Sequence, residues 1–339
     1  MLGEWDLGGA LHVTNGDATD IPGTGLAERV IYWRDILHEG PVPAVPPAEL
    51  RRIRARFLAG EAWHDPDIAG SFAERDRALD ANKDGEYVLW FEADLSDQLQ
   101  IIQILARLAE LRVPAGRITL ISIGEHPGIA RFGGLGQLDA EQLRELPRTK
   151  AAARLTPAAL DLATEAWAAF GAETPEGLGA VAAARSGELR FLGEGFDRLS
   201  REYPSTRDGL SLTERRILAA IAGGAGDAGT AFVNGAARET RPYLGDTWAF
   251  AIVERFARAR VPLVSAGGPV DRHTPVALTE AGARVLAGEA DHAHLNGVDR
   301  WIGGVHLLGT PAWRWDEGKE AIVARPPRSA GDGYDSAAE

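Results

Sequence analysis

Four short apolar runs, Leu11–Thr14, Arg29–Trp33, Tyr87–Phe91 and Ile118–Ile123, alternate with stretches whose apolar residues recur at helical spacing. The helical signal is clearest over 95–111, where Leu95, Leu99, Ile102, Leu105 and Leu108 fall at intervals of three and four; 47–60 and 69–82 repeat it more weakly. Strand, helix, strand, helix at this spacing predicts an α/β fold, with a parallel, Rossmann-like sheet and covering helices over residues 10–150. The run Val30–Trp33 reads as a strand buried on both faces. Because crossovers between parallel strands are right-handed, the C-terminal ends of all four strands are expected along one edge.

The residues after each run therefore matter most for function. Asn15-Gly16-Asp17 follows the first run, and Arg34, Asp35, His38 and Glu39 follow the second, before Gly40-Pro41 and Pro43 end regular structure. Glu92 and Asp94 follow the third and lead into the helix of Gln98; Gly124-Glu125-His126-Pro127-Gly128 and Gly133-Gly134-Leu135-Gly136 follow the fourth. In open α/β sheets, ligands bind just outside such ends. Asp35, His38 and Glu39 are the candidate acid–base groups, with Asn15, Asp17, Arg34, Asp94 and Gln98 as candidate substrate-binding residues. A purely structural reading stands beside several of them. Asn15-Gly16-Asp17 suits a tight turn, and Asp94 with Ser96 suits a helix cap. His12 alternates within a strand and is expected to be a satisfied core or edge histidine. His12, Asp17, Asp35, His38, Glu39 and Asp94 could together ligate a divalent metal, at a spacing that matches no established motif.

Composition and missing motifs narrow the chemistry. The chain has no cysteine, which excludes disulfides, thiolate nucleophiles and Cys-zinc sites. There is no G-x-x-x-x-G-K-[ST], no G-x-S-x-G and no H-E-x-x-H, and Gly23-Thr24-Gly25 lacks the third glycine of a dinucleotide fingerprint. No cofactor is implied beyond a possible divalent metal. The net charge is −13, and no segment has the basic excess that drives phosphate-backbone binding, so nucleic acid is a disfavoured partner. The N-terminus lacks a signal-peptide pattern, and no apolar run approaches the about eighteen residues of a membrane span. A cytoplasmic protein with a small-molecule ligand and no membrane partner is expected; no oligomeric state is implied.

The second half reads differently. Residues 151–204 are Ala-rich, with amphipathic helices expected at 157–170 and 178–201, and form a helical connector ending near Tyr203-Pro204-Ser205. Over 205–317, a helix begins near Ser211 or Thr213, and others follow near 228–239 and at Asp246–Arg260. Pro262-Leu263-Val264 and Val276-Ala277-Leu278 then flank a turn, before a helix that starts at Thr279-Glu280-Ala281-Gly282. This order resembles the winged-helix family. In a DNA-binding member the third helix would enter the major groove. Here it carries Arg255, Arg258 and Arg260 together with Asp246 and Glu254 in a nearly neutral segment, which favours a protein or intramolecular contact. Asn296–His306 is a polar and aromatic stretch with two readings. It is either a loop with Arg300 paired to Asp299, or a flap that brings Arg300 or His306 to the crevice as a further substrate contact. Asp291-His292-Ala293-His294 is expected to be a solvated loop, and residues 318–339 a disordered tail.

The set Leu-His-Val-Thr-Asn-Gly-Asp (11–17), Trp-Arg-Asp-Ile-Leu-His-Glu-Gly-Pro-Val-Pro (33–43), Trp-Phe-Glu-Ala-Asp-Leu-Ser-Asp-Gln-Leu-Gln (90–100) and Gly-Leu-Gly-Gln-Leu (134–138) resembles the bacterial domain-of-unknown-function 1835 family. Asp-Arg-Trp-Ile-Gly-Gly-Val-His-Leu (299–307) is similar to the extension such proteins carry. His126 departs from the Phe-like residue expected in relatives. The resemblance implies a fold and a site location and brings no chemistry with it. Two functions follow from the residues themselves. One is an enzyme, a hydrolase or transferase, acting on a small polar metabolite, with or without a phosphoryl group, by acid–base or metal-assisted chemistry. The other is a non-catalytic ligand sensor whose winged-helix-like part contacts a protein or DNA.

Overall fold

The computed structural model describes residues 7–60 and 67–324. The four apolar runs form strands β1 (Leu11–Thr14), β2 (Arg29–Tyr32), β3 (Tyr87–Glu92) and β4 (Ile118–Ile123). All four are parallel, in the order β2-β1-β3-β4. Thr14 pairs with both Tyr32 and Trp90, so the C-terminal ends lie on one edge as expected. A short strand that the sequence pattern does not mark, β5 (Ala152–Arg154), closes the far edge antiparallel to β4. β3 and β4 are buried almost throughout, the pattern of strands covered on both faces. β2 corrects the expectation of full burial: it is an edge strand, exposed at Arg29 and half-buried from Val30 to Tyr32.

Between β2 and β3 lie α1 (Pro47–Gly60) and α2 (Ile68–Ala81), and α3 (Leu95–Glu110) joins β3 to β4. Leu99, Ile102, Leu105 and Leu108 of α3 are fully buried, each contributing about 1.5–3 kcal/mol of gross transfer energy. The opposite face of the sheet is covered in part by α4 (Ala140–Glu145), where Leu143 packs in a cluster with Val88, Trp90 and Ile121.

Residues 151–204 are more than a connector. They form β5, α5 (Pro157–Gly171), α6 (Leu178–Ala183) and α7 (Leu192–Ser200), and Ala163, Phe170, Phe196 and Leu199 join the same core as α3. The single helix expected over 178–201 is broken in two. Ser186 Oγ accepts the backbone N–H groups of Glu188 and Leu189, giving the chain a local alternative to helix around Gly187.

A second core follows. α8 (Leu212–Ala222), α9 (Ala228–Ala236), α10 (Asp246–Arg258), the antiparallel pair β6 (Val264–Ala266) and β7 (Val276–Leu278), and α11 (Glu280–Ala287) occur in the expected order. They enclose Leu218, Ile221, Ile252, Phe256, Leu263 and Val285. Ser211 caps α8 in a reciprocal box with Glu214. The short helix α12 (His292–Asn296) replaces the loop expected there; Asp291 caps it, and His292 is buried against Phe256.

Residues after Gly297 return to the first core. Hairpins β8 (Val298–Ile302) with β9 (Val305–Gly309), and β10 (Trp313–Asp316) with β11 (Ala321–Ala324), place Ile302, Val305, Leu307 and Trp315 beside the residues of α5 and α7. The turn of the first hairpin lies against the end of α5. At Gly303, whose φ is +59°, a Cβ would stand 2.0 Å from the carbonyl oxygen of Phe170, so only glycine fits. The expected disordered tail is corrected over 318–324, where Asp316 accepts two turn N–H groups and β11 pairs with β10; residues 325–339 lie outside the described residues. No helix among the described residues is long and apolar enough to cross a membrane.

Candidate functional site

The chain leaves β1 towards β2 on one side and later reaches β3 on the other, so the loops after β1 and β3 diverge and open a crevice. Asn15 and Asp97 span it, with Asn15 Nδ2 donating to Asp97 Oδ1 at 2.9 Å. Asp97 Oδ2 also accepts the backbone N–H of Glu92 at 2.5 Å. Asp94 is the N-cap of α3 and accepts the Asp97 N–H at 3.1 Å, so the capping role is real. Glu92 Oε1 accepts the Leu135 N–H at 2.6 Å. That approach requires Gly134, whose φ is +150° and whose Cβ would stand 2.6 Å from the Glu92 carboxylate.

Glu92, Asp94 and Asp97 are thereby held with one carboxylate oxygen each within 4.8 Å of the others. No ion pair to any of the three occurs among the described residues. Burial, then repulsion from Asp94, pushes Glu92 up to about 8. Burial pushes Asp94 up to about 6 against the hydrogen bonds it accepts, and burial with both neighbours drives Asp97 well above the usual carboxylate range. Three such groups share a proton or a cation rather than all carrying full charge.

The trio lines a cleft of about 1190 Å³ between the sheet edge and the second core. Asp17, Glu92, Asp94 and Asp97 face Asp246 and Glu254 of α10 and Asp271 of the β6–β7 turn across it, and Arg34 is the one basic side chain among the described residues of its lining. Arg34, whose φ of +46° is strained for a non-glycine residue, pairs with Asp17 at 3.0 Å in the open mouth. His38 lies in the wall, only 5% exposed, with its ring edge-on to Tyr243 at 5.0 Å between centroids. Neither of its ring nitrogens has a hydrogen-bond partner. Burial, then the positive charges of Arg300, Arg54 and Arg198, lowers its pKa to about 3 despite the opposing pull of Glu202, so the imidazole is neutral. Gln100, one turn beyond Asp97 on α3, donates to the Asp35 carbonyl at 2.8 Å and leaves its own Oε1 unpartnered.

The structure thus brings Asn15, Asp17, Arg34, His38 and Asp94 into one cleft and keeps the other candidates out of it. Asp35 is fully buried and bound to Arg54 at 2.8 Å, with Arg75 at 3.7 Å. Arg54 also donates to the carbonyls of Ile36, Glu39 and Pro41, and Arg75 to that of Trp33, so two helices clamp the whole loop after β2. Glu39 pairs with Arg300 at 3.3 Å, and Arg300 reaches Glu202 at 2.8 Å behind the site. Arg300 therefore does not pair with Asp299 and does not line the cleft; Asp299 accepts from His306 instead, whose ring stacks on Trp301. Gln98 holds the Glu92 carbonyl at 2.8 Å and does not reach the cleft. His126 turns back onto Ile129, and His12 is the satisfied core histidine expected, bonded to the Leu7 carbonyl and the Trp90 indole.

Asp97, Gln100 and the α10 wall are the residues that sequence reasoning missed. The local signal was present in Glu92-Ala93-Asp94-Leu95-Ser96-Asp97, with acids at a strand end, at an N-cap and three positions on, which turns them to one side. No protein-family model matches the chain, and no curated protein matches it.

Proposed function

We propose that the cleft is the active site of an enzyme acting on a small polar metabolite by acid–base or metal-assisted chemistry. The observation that carries this reading is the convergence of three crowded carboxylates, Asp94 and Asp97 buried and Glu92 half-buried, and a buried, partnerless neutral imidazole on one cavity at the β1/β3 divergence. Asp35 and Glu39 move from catalysis to architecture; Glu92, Asp94, Asp97 and His38 take their place. The acidic lining favours a cationic or uncharged substrate, and a phosphorylated one would need a cation between it and the wall. The resemblance over 10–150 agrees with a site at this edge.

We read α8–α11 as a winged-helix-like unit serving as the second wall of the site. Its third helix turns Asp246, Thr247, Phe250 and Glu254 onto the cleft, which supports an intramolecular role over DNA reading. That same contact supports the alternative of a ligand sensor, since an occupant would touch both cores.

The test is to incubate the protein with pools of amine-bearing and neutral polar metabolites and to follow both binding and consumption by mass spectrometry. Consumption that falls at least about a hundredfold in Glu92→Gln and His38→Gln, with melting temperatures within a few degrees of the parent, supports the enzyme. Binding without consumption supports the sensor. Consumption that survives both substitutions contradicts the site.

A further inference from the structure

We infer that Glu92, Asp94 and Asp97 hold a hard divalent cation of the Mg2+ or Mn2+ class on the floor of the cleft. The inference deepens the metal-assisted branch of the function proposed above, but the binding itself depends only on the site's geometry.

Each of the three carboxylates offers an oxygen, all within 4.8 Å of one another, a span one small cation can bridge. The donor set is all oxygen, which suits Mg2+, Mn2+ or Ca2+ and not a thiolate-seeking metal. A cluster of acids alone is common without a metal. Here two further side chains, each more than nine-tenths buried, line the same cleft with unpartnered polar atoms. They are Gln100, whose carbonyl Oε1 bonds to nothing one turn beyond Asp97, and His38, both of whose nitrogens are free of hydrogen bonds. Leaving such atoms unpaired is costly, and the water carried by a cation on the neighbouring carboxylates would offer them a partner.

The charges around the cluster point the same way. Elsewhere this protein pairs its buried acids with arginine, as at Asp35 with Arg54 and Glu202 with Arg300 and Arg198. At the β3–α3 junction no arginine is within ion-pair distance among the described residues, and the opposite wall adds Asp246, Glu254 and Asp271. Arg34 does not fill the gap, because it is engaged with Asp17 at the mouth.

The test uses the whole chain, freed of metal with a chelator, and Mn2+ as the probe, followed by calorimetry and electron paramagnetic resonance. One Mn2+ per chain is expected, displaced by Mg2+. Its affinity should be at least about tenfold weaker in Glu92→Gln, Asp94→Asn and Asp97→Asn, and within about threefold of the parent in Glu165→Gln, on the exposed face of α5 away from the cleft. Glu92→Gln keeps an acceptor for the Leu135 N–H and is the substitution expected to fold best. A measurement without substitutions locates the ion in the parent protein: Mn2+ should broaden the side-chain amide signals of Asn15 and Gln100 before those of Asn82, at the opposite end of the strands, or Asn296. Absence of stoichiometric Mn2+ binding at millimolar concentration overturns the inference, as does binding that leaves the Asn15 and Gln100 signals sharp. If Mn2+ fails to bind while Glu92→Gln still abolishes consumption, the cation is wrong and the acid–base enzyme stands. If Mn2+ binds and nothing is consumed, the cation stands and the enzyme reading falls.

Discussion

The exits of β2 and β3 differ in one decisive respect. Both place acidic residues at the C-terminal edge of a parallel sheet, and both bury them, except that Glu92 is half-buried. After β2, Asp35 meets Arg54 and Arg75, and Glu39 meets Arg300. After β3, Glu92, Asp94 and Asp97 meet mainly backbone N–H groups, Asn15 and one another. The first arrangement fixes a loop. The second leaves negative charge without a protein counter-charge at the bottom of a cleft. A charged residue at a strand end thus says little until its partner is known.

The largest effect should come from breaking the β2 clamp. Asp35→Asn takes the carboxylate partner from buried Arg54 and leaves Arg75 with Asp76 alone, and should cost about 3–5 kcal/mol in urea unfolding, whereas Arg54→Met leaves Asp35 with only Arg75 at 3.7 Å and removes three carbonyl partners, with a loss of similar size. A loss below about 1 kcal/mol would erase the distinction between the two exits.

The β3 cluster should respond with the opposite sign. Glu92→Gln removes repulsion and should raise stability at pH 8 in the absence of metal by about 1–2 kcal/mol while destroying function. The pH dependence follows from the same raised groups. The native state holds protons there that the unfolded chain has already released, so their stabilisation is complete below the ordinary carboxylate range. It is lost as pH rises to about 8. Glu202 behaves in reverse: Arg300 and Arg198 hold its carboxyl well below the usual range against the cost of burial, so its contribution is present above that range and is lost in acid. Melting curves across pH 4–9 should therefore peak on the mildly acidic side and decline towards pH 8, and Glu92→Gln should flatten the decline.

The smallest effect belongs to the cleft mouth. Asp17→Asn removes an ion pair whose side chains are 40% and 77% exposed, and should change stability by no more than about 0.5 kcal/mol. A larger change in chemical denaturation would mean that the mouth is structural as well.

The parallel strands and α3 were legible because continuous burial and regular spacing are local properties, visible in Tyr87–Glu92 and Leu95–Leu108. The roles of Asp35 and Glu39 were not, because their partners lie 19 residues and more away, on the helices of Arg54 and Arg75 and on the β8 strand of Arg300, at positions that look like ordinary solvated arginines until these elements pack. His38 was legible as unusual, since no turn geometry needs it; in the structure neither of its ring nitrogens has a hydrogen-bond partner. The return of β8–β10 to the first core was hidden for another reason. Strands of four or five residues with half-buried patterns carry almost no periodic signal, and their place depends on contacts with α5 and α7.

The claim that the β3–α3 carboxylates lack a protein counter-charge can be measured directly by a carbon-detected NMR titration of the Glu92 carboxyl in metal-free protein. A midpoint near 8 is expected, moving down on addition of Mg2+. A midpoint in the ordinary range of about 4–5, unmoved by the cation, would contradict the account.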